Sequence, residues 1–277
     1  MAAPGRNLPG LKNAQSRVVC RRYSEARDVR LEFNEKFGKS GFVFTGYDAS
    51  MKIVLFGATG MVGSGVLKEC LDSNEVESIL AVGRNTADVK HEKFTEIIHD
   101  DFFHYSDIED ALAGYDACFF CLGVSAMGMS ETEYTRLTYE ITMKAARTLV
   151  RLNPEMTFCY LSGAGADSTE KGRVMWARVR GRLENHLLEL PFKSVYVFRP
   201  AYIQPVKGVK SKTALYGFFY RLLGPFYGIW KRVAPGYVTN TASMGLAMIN
   251  VVRGGWQHKI VATNAINALA ERAGGLR

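Results

Sequence analysis

The chain has no uncharged apolar run of about 18 residues or more, the length a membrane-spanning helix needs, so no spanning segment is expected. Its N-terminus likewise lacks the apolar core of a secretory signal. Cysteine is scarce and odd in number, and three of the five (Cys20, Cys70, Cys118, Cys121, Cys159) lie in apolar runs such as residues 117–122. A disulfide framework is therefore not the organising device, and the cysteines read as reduced, buried residues of a cytoplasmic protein. The Cys118/Cys121 spacing is one that redox and zinc sites use. A redox pair opens a helix, however, whereas this pair sits in an expected strand, where three positions apart means opposite faces. There is no internal repeat, and no low-complexity stretch beyond short Gly and Ala pieces at the C-terminus.

What is present is a core-forming composition: 277 residues, 47% of them apolar, enough for one large α/β domain or a domain with a small appendage. The net charge of +8 is spread along the chain rather than gathered in a patch. Residues 1–50 carry 9 Lys and Arg against 5 Asp and Glu, which is half of that excess. The remainder is mildly basic, as suits a protein that binds phosphorylated ligands.

Residues 1–50 show no sustained strand or helix pattern and read as an N-terminal extension, poorly ordered, with residues 51–277 forming the domain. Met51 reads as the native start, the leader being a tail or an upstream extension of the reading frame. A transit peptide is the competing view, supported by its arginines and opposed by Glu25, Asp28, Glu32 and Glu35. From Met51 strands are expected over 51–56, 78–83, 94–98, 116–122, 157–162 and 194–198, with helices over 61–72, 106–113, 131–152 and 173–190. Short apolar strands alternating with helices predict an α/β, Rossmann-type doubly wound parallel sheet, with its ligand site at the carboxyl ends of the strands. Beyond Arg199-Pro200 the pattern loosens into a small C-terminal substrate-side lobe at about 203–265. That lobe holds an aromatic and basic stretch from Lys207 to Arg232, a helix over 241–252 and a strand near 258–262. Rings alternating with cations can bind a lipid surface or single-stranded nucleic acid. Rings packed on the domain with solvated lysines are the preferred reading, so neither partner is expected.

The first strand runs straight into Gly57-Ala-Thr-Gly-Met-Val-Gly63. In such a turn Gly57 permits the tight bend, Gly60 admits a pyrophosphate to the backbone, and Gly63 lets helix and strand pack closely. Thr59, Met61 and Val62 complete the loop, the last two offering free helix N-terminal amides to phosphate. At the end of the second strand Arg84 stands where an acid would hold the ribose 2′-hydroxyl of NAD. A guanidinium there favours the 2′-phosphate of NADP over NAD. Asp101 and Phe102 follow the third strand at the adenine position, and Leu122 and Gly123 follow the fourth near the nicotinamide ribose.

These segments, with Val82-Gly-Arg84, Cys121-Leu-Gly123, Leu161-Ser-Gly163 and Arg199-Pro200, resemble the atypical short-chain dehydrogenase/reductase superfamily. Residues 51 to about 265 are most similar to its group of NAD(P)H-binding, epimerase-like proteins related to the oxidoreductase HTATIP2. The resemblance implies a Rossmann fold, NADP binding, hydride-transfer ancestry and a Ser, Tyr and Lys catalytic set. Ser162 matches the serine, but the Tyr-x-x-x-Lys pair is replaced by Trp176 and Arg180. Indole does not titrate usefully, so Trp176 cannot pass a proton, while Arg180 can still donate to a ribose hydroxyl. Tyr202, or Tyr160, could supply the missing phenol; lobe contact and core packing are the competing roles. Two functions follow: an NADP-binding oxidoreductase or epimerase-like enzyme for a small carbonyl or alcohol, or a catalytically lapsed regulatory or scaffold protein that keeps the cofactor pocket. Extended relatives pair through helices of the sheet layer, so a homodimer is compatible with either.

Overall fold

The computed structural model describes residues 50–206 and 236–272. The stretch 207–235, with all of the aromatic and basic segment from Lys207 to Arg232, and residues 1–49 and 273–277 lie outside the described residues. The described strands are β1 (Met51–Phe56), β2 (Val76–Gly83), β3 (Phe94–Ile98), β4 (Ala117–Phe120), β5 (Thr157–Leu161), β6 (Ser194–Arg199), β7 (Tyr202–Gln204), β8 (Val238–Asn240) and β9 (Ile260–Ala262). The helices are α1 (Met61–Asp72), α2 (Glu109–Leu112), α3 (Glu131–Thr135), a π-helical turn (Arg136–Glu140), α4 (Ile141–Leu152), α5 (Met175–Leu188), α6 (Thr241–Gly254) and α7 (Thr263–Glu271).

Seven strands form one parallel sheet in the order β3-β2-β1-β4-β5-β6-β9. The order runs one way from β1 to β3 and the other way from β4 onward, so a crevice opens at the carboxyl ends of β1 and β4. In doubly wound sheets that switch point is where a ligand lies. Alternation along each strand supplies both faces. Ile53 and Leu55 of β1 join the layer under α1, α6 and α7, while Val54 and Phe56 join the one under α4 and α5. Phe56, Phe120 and Phe158 are wholly buried on the second face, with Phe56 and Phe120 centroids 5.1 Å apart. Each such side chain contributes about 1.5–3 kcal/mol through burial.

The expected helix over 131–152 forms with a π-turn in its middle. Ser130 caps its start by accepting the Glu133 N–H at 3.2 Å, with Glu131 and Glu133 in the first turn. Inside the π-turn the Thr138 carbonyl accepts the Thr142 hydroxyl at 2.7 Å. The helix expected over 106–113 is only the single turn α2.

The lobe expected at 203–265 differs from the structure at its C-terminal end. β9 pairs with β6 as the edge of the main sheet, and α6 packs on α1, where Gly65 and Gly245 leave room for the Thr241 and Glu69 side chains. Met244, Ala247, Met248 and Val251 give α6 an apolar face spaced three and four apart, so it buries with the core. Residues 202–204 and 238–240 form a separate two-stranded parallel sheet.

Candidate dinucleotide site

The loop after β1 is built by backbone contact. Gly57 has φ +81°, a conformation costly for other residues, and a Cβ on it would lie 2.7 Å from the Cys121 carbonyl carbon. Its carbonyl accepts the Gly60 N–H at 2.9 Å. A Cβ on Gly63 would fall 2.0 Å from the same carbonyl oxygen, so α1 rests directly on the turn. Gly60 is the N-cap of α1 and supplies no side-chain cap; the first turn holds no acid. Its amides and the positive end of the helix dipole are thus left for an anion. This cradle fits a pyrophosphate.

Beside it lies a shallow groove bounded by Gly57, Thr59, Gly83, Arg84, Glu96 and Leu122, among others. Arg84 is exposed and has no carboxylate partner among the described residues. Thr59, Gly57, Arg84 and Leu122 line one groove, with Met61, Val62 and Gly63 opening the adjoining helix. Asp101 and Phe102 are placed differently from a simple adenine shelf. The Phe102 ring is buried against Phe56 and His99, so it serves the core. Asp101 accepts the Phe103 N–H at 3.0 Å and is bonded to His104 Nδ1 at 2.7 Å. The His104 contact, then the Phe103 amide, hold its carboxyl below the usual carboxylate range.

At the ends of β4 and β5 sits Arg180. Its terminal nitrogens face the glycines there: a Cβ on Gly123 would lie 3.9 Å from one, and a Cβ on Gly163 would lie 3.5 Å from the other. Its Nε donates to the buried Tyr134 hydroxyl at 3.0 Å. Burial opposes its charge, but the oxygens of Tyr160 and Tyr134 and the Glu184 carboxylate outweigh that and raise its pKa. Trp176, one turn earlier on α5, lies with its ring edge over Gly165. Tyr134 carried no sequence signal, because a tyrosine near a helix start reads as packing.

Ser162 is turned inward. Its hydroxyl donates to the fully buried carboxylate of Glu184, which also takes the Arg199 Nε–H at 2.8 Å and a second bond from the same guanidinium. Arg199 donates onward to Ser168 Oγ at 2.6 Å. This cluster ties β5, β6, α5 and the intervening loop together below the strand ends. Glu184 could have been noticed: it falls among Ala177, Gly181, Leu183 and Leu187 on the buried face of α5, where an acid requires a partner. Tyr160 is also buried, its ring 6.3 Å from Phe120, and burial pushes its phenol pKa up. That is core packing. Tyr202 is half-buried on β7, with its hydroxyl donating to Gln204 Oε1 at 2.7 Å. Cys118 and Cys121 do fall on opposite faces of the sheet.

Comparison with known proteins agrees with this geometry. A family model described as NAD(P)H-binding matches residues 57–185. The protein HTATIP2 of Rattus norvegicus is 27% identical over 150 residues, which cover 53% of this chain and 61% of that protein. Protein FMP52, mitochondrial, of Meyerozyma guilliermondii is 26% identical over 170 residues, or 61% of this chain and 70% of that one. The match to the rat protein thus leaves more than a third of its length unspanned. Among solved structures, the Bordetella bronchiseptica enzyme WbmF in complex with NAD+ superposes with a TM-score of 0.55 at 12% identity, over 82% of this chain and 79% of that one. Helicobacter pylori ADP-L-glycero-D-manno-heptose-6-epimerase superposes with a TM-score of 0.56 at 12% identity, over 83% and 84%. At that identity the two share the fold alone. The chain therefore has a Rossmann-like fold, and its residues 57–185 are similar to an NAD(P)H-binding family.

Proposed function

We propose that this protein is an NADP-dependent oxidoreductase or epimerase-like enzyme acting on a small carbonyl or alcohol. The observation that carries the cofactor choice is Arg84: a guanidinium at the end of β2, lining the groove beside the phosphate cradle, without a carboxylate partner among the described residues. A ribose diol asks for an acid at that corner; a 2′-phosphate asks for a cation. Gly57, Gly60, Gly63 and the amides of Met61 and Val62 would hold the pyrophosphate, with Thr59 at its edge. Asp101 and the Phe102 backbone would flank the adenine, while Leu122, Gly123 and Arg180 would hold the nicotinamide ribose. Bound there, the dinucleotide supplies or accepts hydride.

Reduction of a carbonyl also needs a proton at the oxygen. Of the two candidate hydroxyls, Ser162 is buried and donates to the buried Glu184, whereas Tyr202 is half-exposed and donates to Gln204 on β7. This supports giving the side-chain proton role to Tyr202 and leaving Ser162 to position the β5 end.

Among the described residues no helix is long and apolar enough to cross a membrane. The reduced-cysteine reading favours the cytoplasm, while the fungal FMP52 relatives carry a mitochondrial name; subcellular fractionation decides between the two compartments.

The test of function is titration of the purified protein with NADPH and NADH, followed by cofactor fluorescence, with Arg84→Ala alongside. Tight NADPH binding that weakens about tenfold in the variant, the order expected for one lost charged contact, supports the reading and justifies a carbonyl screen including Tyr202→Phe. Binding of neither cofactor would overturn it.

A further inference from the structure

We infer that Glu96 is a second specificity-determining residue of the cofactor site: its carboxylate latches the turn after β2, presents Arg84 to a 2′-phosphate, and is itself unavailable to a ribose diol. The inference rests on the cofactor reading above. Glu96 lies on β3 opposite Ala81 of β2 and lines the groove together with Gly83, Arg84 and Asn85. An acid so placed could serve NAD by taking the two ribose hydroxyls, or could repel the phosphate of NADP. Its hydrogen bonds argue for neither role.

One carboxylate oxygen accepts the Thr86 hydroxyl at 2.5 Å and the other accepts the Ala87 N–H at 2.9 Å. Thr86 Oγ1 in turn accepts the Asp88 N–H at 3.1 Å. Asp88 has φ +53°, in the left-handed region, which Asp adopts more readily than most residues other than glycine but still at some cost, so the turn gains from surroundings that hold it. Glu96 is the group that does so, because it grips the two residues before the strained one. The other end of the turn is fixed by the sheet, where the Gly83 carbonyl accepts the His99 N–H at 2.9 Å. Arg84 and Asn85 are thus held between two anchors. No ion pair joins Glu96 to Arg84, so the guanidinium keeps its planar fork for a ligand. The two donors from the turn also offset the carboxylate's charge where a phosphate would approach.

Two substitutions separate the latch from the charge. Glu96→Gln removes the charge but can keep both bonds: its amide oxygen accepts from Ala87, and its NH₂ donates to the Thr86 hydroxyl, which accepts as readily as it donates. Glu96→Ala removes both. NADPH and NADH are titrated against each variant and against Thr86→Val, which removes the Thr86 half of the latch while leaving the carboxylate and its Ala87 bond, with a thermal melt of each protein. The expected result is that Glu96→Ala weakens NADPH about tenfold, Thr86→Val weakens it in the same direction, and Glu96→Gln stays within about twofold of wild type, while NADH changes little throughout. The inference is overturned if Glu96→Ala binds NADPH as well as or better than wild type, since Glu96 would then be only a repelling charge. Equal losses for both cofactors, or a loss in Glu96→Gln as large as in Glu96→Ala, also overturn it. If Arg84→Ala weakens NADPH and Glu96→Ala does not, the latch alone fails; if wild type binds neither cofactor, the underlying cofactor reading fails with it.

Discussion

Replacing Gly63 with alanine pits two effects of opposite sign against each other. Gly63 is the third residue of α1, and alanine in a helix is favoured over glycine by about 1 kcal/mol. Its Cβ, however, would lie 2.0 Å from the Gly57 oxygen and 2.7 Å from the Gly57 carbonyl carbon, where ordinary contact begins at 3.4 Å. Both partners are backbone, so no side chain can rotate away and the helix must lift off the turn by more than an ångström. Overpacking costs about 1–3 kcal/mol, and a backbone-against-backbone clash belongs at the upper end. The net expectation is a loss of about 2 kcal/mol, or roughly 4–8 °C in melting temperature for a domain of this size. Gly60→Ala is the matched control. Its Cβ would stand 3.2 Å from the same oxygen, a contact relieved by a few tenths of an ångström, yet at the helix N-terminus it would block a phosphate. Thermal denaturation and NADPH titration of both variants should therefore diverge: Gly63→Ala loses stability and binding, while Gly60→Ala loses binding at near-wild-type stability. A Gly63→Ala protein as stable as wild type, or a Gly60→Ala protein that binds NADPH normally, would refute the reasoning.

Three further outcomes are expected. Glu184→Ala leaves Arg199 without its buried counter-charge and should cost about 3–5 kcal/mol in urea unfolding; a change below about 1 kcal/mol would mean that the pair is dispensable. Burial raises the thiol pKa values of Cys70, Cys118 and Cys159 and pushes that of the half-buried Cys121 up to about 12, so peptide mapping should find the first three nearly unlabelled by iodoacetamide in the native protein at pH 7.5, Cys121 labelled slowly, and all four labelled after unfolding. Asp167 accepts hydrogen bonds from Thr169 Oγ1 at 2.6 Å, from the Gly172 N–H at 2.7 Å and from the Thr169 N–H at 3.0 Å, which lower its carboxyl pKa in the folded state. Its contribution is therefore present above the unfolded value, near about 3.9, and lost as pH falls through the lower folded value. Asp167→Asn should melt below wild type at pH 7, with the gap closing under acid; a gap that persists at low pH would contradict the assignment.

Local pattern alone was enough for the sheet and the phosphate loop. Runs such as Met51–Phe56 and Ala117–Phe120 are short, almost wholly apolar and bounded by turn residues, which suits strands buried on both faces, and Gly57, Gly60 and Gly63 between a strand and a helix mark the tight turn that joins them. The place of Arg84 at the end of β2 was legible for the same reason, since chain order already states it. The partners that tertiary packing assigns were not legible. Ser162 pointed by sequence toward a substrate and by structure toward Glu184, because the side-chain direction at a strand end depends on a helix that arrives 22 residues later. Phe102 was counted with the adenine and went to the core, drawn by the rings of Phe56 and His99. Tyr134, Glu184 and Glu96 gained their roles only when α3, α5 and β3 were laid beside residues remote in sequence. The placement of α6 and β9 in the main layers followed the same rule: which surface an apolar helix face covers is decided by what else needs covering. Periodicity and turn chemistry act over a few residues and so can be read along the chain, whereas a buried charge, a hydroxyl or a guanidinium acquires its meaning from the group it meets, and only the folded chain decides which group that is.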